Sequence, residues 1–193
     1  MTATPKFAHV VLQTNRVAEM RDWYRTVLGA DVVYENPGMC FLTFDEEHHR
    51  IALVGSPAEP WVERTPFTVG LQHSAFTFPS LETLLEKFDD LRAAGIEPQV
   101  PIQHGVTTSL YYRDPDGNTV ELQIDNFAQP EDATAYMTGA EYGADPVGPS
   151  FDPRKMAEAL RAGTSPAELT TRSWAVHAGP PYAEPMARLF APA

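Results

Sequence analysis

The chain has a single cysteine, a deficit of positive charge and no long apolar run. Cys40 has no second cysteine to pair with, so no internal disulfide holds the fold. It lies in the apolar run Met39–Phe44 and is expected to be a buried small hydrophobe. Fourteen Lys and Arg stand against 26 Asp and Glu, a formal charge of −12 over 193 residues. That balance argues against a nucleic-acid surface, which needs a basic patch, and against docking on anionic lipid. No stretch approaches the roughly 20 apolar residues that cross a bilayer. The opening MTATPKFAHVV has neither an apolar h-region nor a cleavage pattern. The expected compartment is the cytoplasm. What remains, 43% hydrophobic and 10% aromatic residues, describes a globular chain long enough for one well-buried domain or two small modules sharing a core.

Read in order, Phe7–Thr14 predicts a strand with a histidine inside it. Arg16–Leu28 predicts a helix, with Val17, Met20, Trp23, Tyr24, Val27 and Leu28 as one apolar stripe and Gly29 as its stop. Strands follow at Ala30–Tyr34, Met39–Phe44 and His48–Val54, around the turn Asn36-Pro37-Gly38 and the polar tip Asp45-Glu46-Glu47. Ser56–Gly70, with Pro57, Pro60 and Pro66, reads as a linker. The pattern then repeats. Leu71–Phe78 is a strand with a histidine at its third position, and Ser80 caps a helix with Leu81, Leu84, Leu85, Phe88 and Leu91 as its stripe. Pro98–Gln103, Thr107–Arg113 and Asn118–Asp125 are strands, the last two joined by the turn Asp114-Pro115-Asp116-Gly117-Asn118. A β-α-β-β-β unit thus occurs twice, with His9 and His73 at matching positions. Beyond it, Asn126–Ser150 reads as irregular, Asp152–Ala162 as a helix capped by Asp152, Ser165-Pro166-Ala167-Glu168 as the start of a short helix, and about Ala178–Ala193 as a loosely held end.

Three residues carry the candidate chemistry. Glu121 sits mid-strand among apolar neighbours, where a carboxylate is unfavourable without a partner or a metal. If the two modules share a core, His9 and His73 face a common concavity that Glu121 joins. Two neutral imidazoles and one carboxylate leave open metal positions and suit non-haem Fe(II) in oxygen chemistry, with zinc or manganese as alternatives. The bland readings are a solvated Glu121 on a half-exposed strand and backbone-bonded core histidines. The matched positions of the histidines weigh against them. By the same reasoning His48-His49 is a solvated pair, His104 a loop residue, and one of Tyr111 and Tyr112 is core.

The doubled pattern, the YRTVLG that closes the first helix, and DPDGNTVEL resemble the vicinal oxygen chelate superfamily over about residues 5–125. Within it, His48-His49 followed by Arg50-Ile51-Ala52-Leu53, together with Tyr111 ten residues before Glu121, resemble single-domain type I extradiol catechol dioxygenases. The tail FDPRKMAEALRAG resembles the extensions of those enzymes. Many type I enzymes carry a preceding metal-free copy of the paired module; this chain has only the metal-bearing pair.

The resemblance implies an α+β fold. Two βαβββ modules, about 5–56 and 70–126, form an open cup-like barrel around one metal in a domain spanning 1–126, and 127–193 is a partly helical extension. It implies Fe(II), or Mn(II), on His9, His73 and Glu121, with His49 as acid/base and Tyr111 as pocket tyrosine. A further pocket histidine falls on His104, two residues short of the family's spacing to that tyrosine. The implied reaction is extradiol (meta) cleavage of a catechol-type diol with O2, in aromatic catabolism. Trp61, Phe67, Tyr136 and Tyr142 point to a bulky, bicyclic substrate. A homo-oligomer is expected. The rivals are a non-oxidative metal enzyme of the same fold (isomerase, epimerase, glyoxalase or thiol transferase) and a ligand-sequestering resistance protein.

Overall fold

The computed structural model describes residues 4–65 and 67–191. Pro66 of the expected linker and residues 192–193 of the expected loose end lie outside the described residues. The chain forms two compact units, Met1–Thr65 with the turn Asp114–Asn118, and Pro66–Arg113 with Thr119–Ala193.

The first unit contains β1 (Val10–Gln13), α1 (Val17–Leu28), β2 (Asp31–Asn36), β3 (Met39–Thr43) and β4 (Ile51–Val54). Its sheet runs β1-β4-β3-β2. The β1–β4 pair is parallel, and the other pairs are antiparallel. Met20, Tyr24 and Val27 bury one stripe of α1, as helical spacing requires. Gly29 ends the helix in the left-handed conformation, at φ 67°, without a Cβ penalty. Cys40 and Leu42 of β3 and Ile51, Ala52 and Leu53 of β4 complete the core, and each large side chain contributes about 1.5–3 kcal/mol by leaving water.

Two strands start later than their sequence predicts. β1 begins after His9, and β4 begins after His48 and His49. Arg50 is the reason. Its guanidinium bonds Asp45 and the carbonyls of Phe7 (2.7 Å) and Ala8 (3.0 Å). Thr43 Oγ1 meanwhile donates to the Glu47 carbonyl at 2.7 Å. These side-chain bonds fold Asp45–Arg50 into a loop, so the β1–β4 ladder starts only at Val10 and Ile51.

The turn counted with this unit is held from within. Asp114 is 4% exposed. It accepts from the backbone N–H of Asp116 and Asn118, from Asn118 Nδ2, and at 3.1 Å from the Tyr24 hydroxyl. Burial nonetheless holds its carboxyl above the ordinary range. Tyr24→Phe leaves this buried carboxylate one donor short. It is expected to cost about 1–3 kcal/mol, read as a melting temperature lower by about 2–4 °C per kcal/mol. An unchanged melt would mean that the remaining donors satisfy Asp114.

The second unit repeats the topology: β5 (His73–Thr77), α2 (Leu81–Ala93), β6 (Val100–Gln103), β7 (Thr107–Arg113) and β8 (Thr119–Asp125), in the order β5-β8-β7-β6 with β5 parallel to β8. Ser80 and Thr83 form a reciprocal capping box, and all five predicted stripe residues of α2 are buried. The fold is α+β, and each four-stranded sheet is open rather than closed on itself.

The C-terminal segment is more ordered than its sequence suggests. Asn126–Ser150, expected to be irregular, holds α3 (Pro130–Met137) and α4 (Ala140–Ala144). Pro130 at the first turn and Glu131 and Asp132 behind it favour a helix start. Neither helix buries a residue, so no apolar period announces them. α5 (Pro153–Arg161) is capped by Asp152 and fixed through Arg161–Asp89 (2.8 Å) and Arg154–Glu97 (3.0 Å). Then come α6 (Pro166–Leu169), capped by Ser165, α7 (Arg172–His177), and α8 (Pro185–Leu189). The expected loose end is packed instead. Leu189 is buried with Val100, Ile102 and Tyr111, and Arg113 donates to its carbonyl at 2.6 Å. Those contacts join residues 76 or more positions apart, which local composition does not register.

Candidate active site

β8, one of the two inner strands of its sheet, carries Glu121 opposite Ala75 on β5 and Tyr111 on β7. The Glu121 side chain is only 5% exposed, and His73 Nε2 lies 3.0 Å from its Oε2. The solvated reading of Glu121 is therefore excluded. Burial pushes its carboxyl up, but hydrogen bonds from His73, Ser109 and Tyr111 outweigh this and hold it below the ordinary range. It is ionised at neutral pH. His73 Nδ1 faces Gln72 Oε1. The far nitrogen of the His73 ring is thus engaged while Nε2 faces the carboxylate, the orientation in which an outer partner holds a metal-ligating imidazole.

Tyr111 is buried, its ring edge-on to His73 at 5.6 Å. Burial, then the charge and hydrogen bond of Glu121, raise its phenol well above the usual tyrosine value, so it stays protonated. Its hydroxyl shares a 2.9 Å hydrogen bond with His104 Nε2. The neighbouring Tyr112 is fully buried, with no hydroxyl partner among the described residues, and is the core member of the pair. The second unit thus gathers His73, Glu121, Tyr111 and His104.

His9 and His49 lie in the first unit, their rings 4.3 Å apart, and Phe41 stacks on His49 at 4.9 Å. Desolvation, then the nearby His9 and His48, lower the His49 pKa below its ordinary value. His48 is exposed, as a solvated residue would be, but its Nδ1 is 2.6 Å from His49 Nδ1. Among the described residues, no three His, Cys, Asp or Glu side chains are gathered as a ligand set.

Trp61 is tied by its backbone to Asn15 in the first unit, and Phe67 is 88% exposed. Tyr136 and Tyr142 contact each other in the second unit, ring centroids 5.9 Å apart. His177, without an expected role, bonds the Ser173 carbonyl one helical turn back. Sequence reasoning missed Gln72, Ser109 and Arg172. Strand parity was the signal for Ser109, two residues before Tyr111 on the same face of β7. No local signal marks Arg172.

His104 offers a pH test. Burial, ahead of every other influence, lowers its pKa from the ordinary 6.5. Between the folded value and 6.5 the unfolded chain binds more protons, so stability falls as pH falls through that window. His104→Gln should flatten the decline in melting temperature between about pH 7 and pH 5, below the ordinary histidine value. An identical slope in the variant would remove His104 from this account.

Residues 6–122 match the model of the glyoxalase/bleomycin resistance protein/dioxygenase superfamily. The chain belongs to that superfamily. Among curated relatives, biphenyl-2,3-diol 1,2-dioxygenase 3 of Rhodococcus globerulus is 65% identical over 91% of this chain and 93% of its own length. Biphenyl-2,3-diol 1,2-dioxygenase 2 of the same organism is 61% identical over 98% and 99%. Among solved structures, lactoylglutathione lyase from Agrobacterium tumefaciens superposes with a TM-score of 0.52 at 21% identity, covering 64% of this chain and 96% of that one. A fosfomycin resistance protein from Listeria monocytogenes gives 0.52 at 18% identity, covering 69% and 98%. At such identities these two structures speak for the fold alone.

Proposed function

We propose that this protein is an extradiol dioxygenase that opens the ring of a catechol-type aromatic diol and adds both atoms of O2. The observation that carries this is identity of 61–65% to two biphenyl-2,3-diol 1,2-dioxygenases over nearly the whole chain. The buried His73–Glu121–Tyr111–His104 cluster supplies chemistry of the right kind. Biphenyl-2,3-diol, or a diol of similar bulk, is the substrate we infer.

Extradiol dioxygenases of this family are metal-dependent, and the donor set fits a divalent ion: an ionised, buried carboxylate faces an imidazole whose far nitrogen is already engaged. In our reading iron(II) is held by His9, His73 and Glu121. Bound there, it would supply Lewis-acid activation of the diol and chemistry with O2. The remaining work falls to side chains. Tyr111 keeps its proton and donates to a substrate oxygen, its hydroxyl oriented by His104. His49, with its lowered pKa, is a neutral base at pH 7 that takes a proton from the diol and returns it to the product.

The test is to load the protein with iron without oxygen, add biphenyl-2,3-diol, and admit air. A yellow ring-cleaved product is expected. An isomerase, a thiol transferase or a sequestering protein would yield none.

A further inference from the structure

We infer that Arg172, on the first turn of α7, is the positioning residue that holds the His104 imidazole against the Tyr111 hydroxyl. The inference rests on the proposed role of that pair, and it assigns the C-terminal extension a part in the site. His104 occupies the short loop between β6 and β7, where its backbone N–H bonds the Thr107 carbonyl at 3.0 Å. A histidine in such a loop needs more than the two strand ends to fix its ring, because the loop itself has few packed neighbours.

The extension provides three restraints. Arg172 Nε and Nη2 both donate to the His104 carbonyl, at 3.1 and 2.5 Å. The backbone of Val147 lies beside the His104 ring. The Tyr136 hydroxyl lies over Gly105, where a Cβ would come within 2.2 Å of it. Gly105 also has φ 89°, so this contact and this backbone conformation both require glycine.

Arg172 links the first two restraints. Its Nη1 donates to the Asp145 carbonyl at 2.8 Å, two residues from Val147. Asp145 Oδ1 in turn accepts the N–H of Val147 (3.0 Å) and of Gly148 (2.9 Å). One guanidinium therefore joins the backbone that bears His104 to the segment that lies beside its ring. A planar fork with five donors can satisfy two carbonyls at once; a lysine ammonium is a point charge with no fixed fork. The rings of Tyr136 and Tyr142, 5.8 and 5.7 Å away, add cation–π contacts that keep the guanidinium in place.

A merely structural arginine would lower stability and leave the coupling to His104 untouched. A double-mutant cycle separates the two. With iron-loaded protein and biphenyl-2,3-diol, Arg172→Met should lower kcat by about tenfold or more, the size of coupling usual for residues in one network. In the His104→Gln background the same change should lower kcat less than about twofold, since the residue that it positions is gone. Arg172→Lys should recover part of the loss. Equal losses in both backgrounds, or a wild-type kcat in Arg172→Met, would overturn the inference. If Arg172→Met does not fold, Arg172→Lys carries the cycle with a smaller expected loss.

A second readout needs neither metal nor turnover. The ring 15N shifts of His104, identified by their disappearance in His104→Gln, report the hydrogen bonds and tautomer of that imidazole. They should move in Arg172→Met and return toward wild type in Arg172→Lys; unmoved shifts count against the inference. Should the wild-type protein fail to cleave the diol, the proposed function falls while these shifts still decide the role of Arg172.

Discussion

Glu121→Gln protein, prepared without oxygen and offered iron, is expected to bind the metal at least 100-fold more weakly than wild type and to give no measurable ring cleavage. The side chain is 5% exposed, and its three hydrogen-bond partners hold it ionised. Gln keeps the shape and can still accept from Tyr111 or Ser109, so the fold should survive while the buried negative charge is lost. Removing an outer partner of a metal ligand already costs about 10–100-fold in affinity, and removing a ligand costs more. His73→Ala and His9→Ala should behave alike. Metal analysis after anaerobic gel filtration is the measurement. A Glu121→Gln protein that retains stoichiometric iron would defeat the ligand assignment, whichever activity the wild type has.

His49→Gln is expected to keep its metal and its affinity for the diol while turnover falls by roughly 10²–10⁴, the usual worth of a positioned acid/base. Single-turnover kinetics at constant iron content checks this. Loss of metal in place of rate would move His49 into the ligand set. The companion substitution at His48 also has an expected effect. His48 and His49 precede β4, and their Nδ1 atoms are 2.6 Å apart. One of them must donate to the other, so His48 fixes which nitrogen of His49 carries the proton. His48→Ala should therefore slow turnover too, by less than His49→Gln, and rescue by His48→Gln, whose amide can still donate or accept, would identify the tautomer as the cause.

Much of this was legible locally. The stripe of α2, the Ser80 cap, the left-handed Gly29 and the turn at Asp114–Asn118 follow from periodicity and backbone sterics, which act over a few residues. Where the sequence failed, a distant partner had intervened. Arg50 reaches Phe7 and Ala8, 43 and 42 positions away, and the strand expected to begin at His48 begins at Ile51. α8 has no strong pattern of its own and is ordered because Leu189 finds Val100 and Ile102.

The site divides along the same line. His73 and Glu121 could be named from the chain, by the matched positions of the repeat and by strand alternation, and Tyr111 through the family resemblance; the hairpin register then brings Tyr111 opposite Glu121. Whether Glu121 was a solvated surface group or a buried, ionised donor was decided by tertiary structure, since burial depends on what covers both faces of β8. The placement of His104 on the Tyr111 hydroxyl, and of Arg172 behind it, is likewise tertiary. Arg172 lies 68 residues beyond the carbonyl that it holds, and no local spacing encodes a contact made by chain closure over that distance.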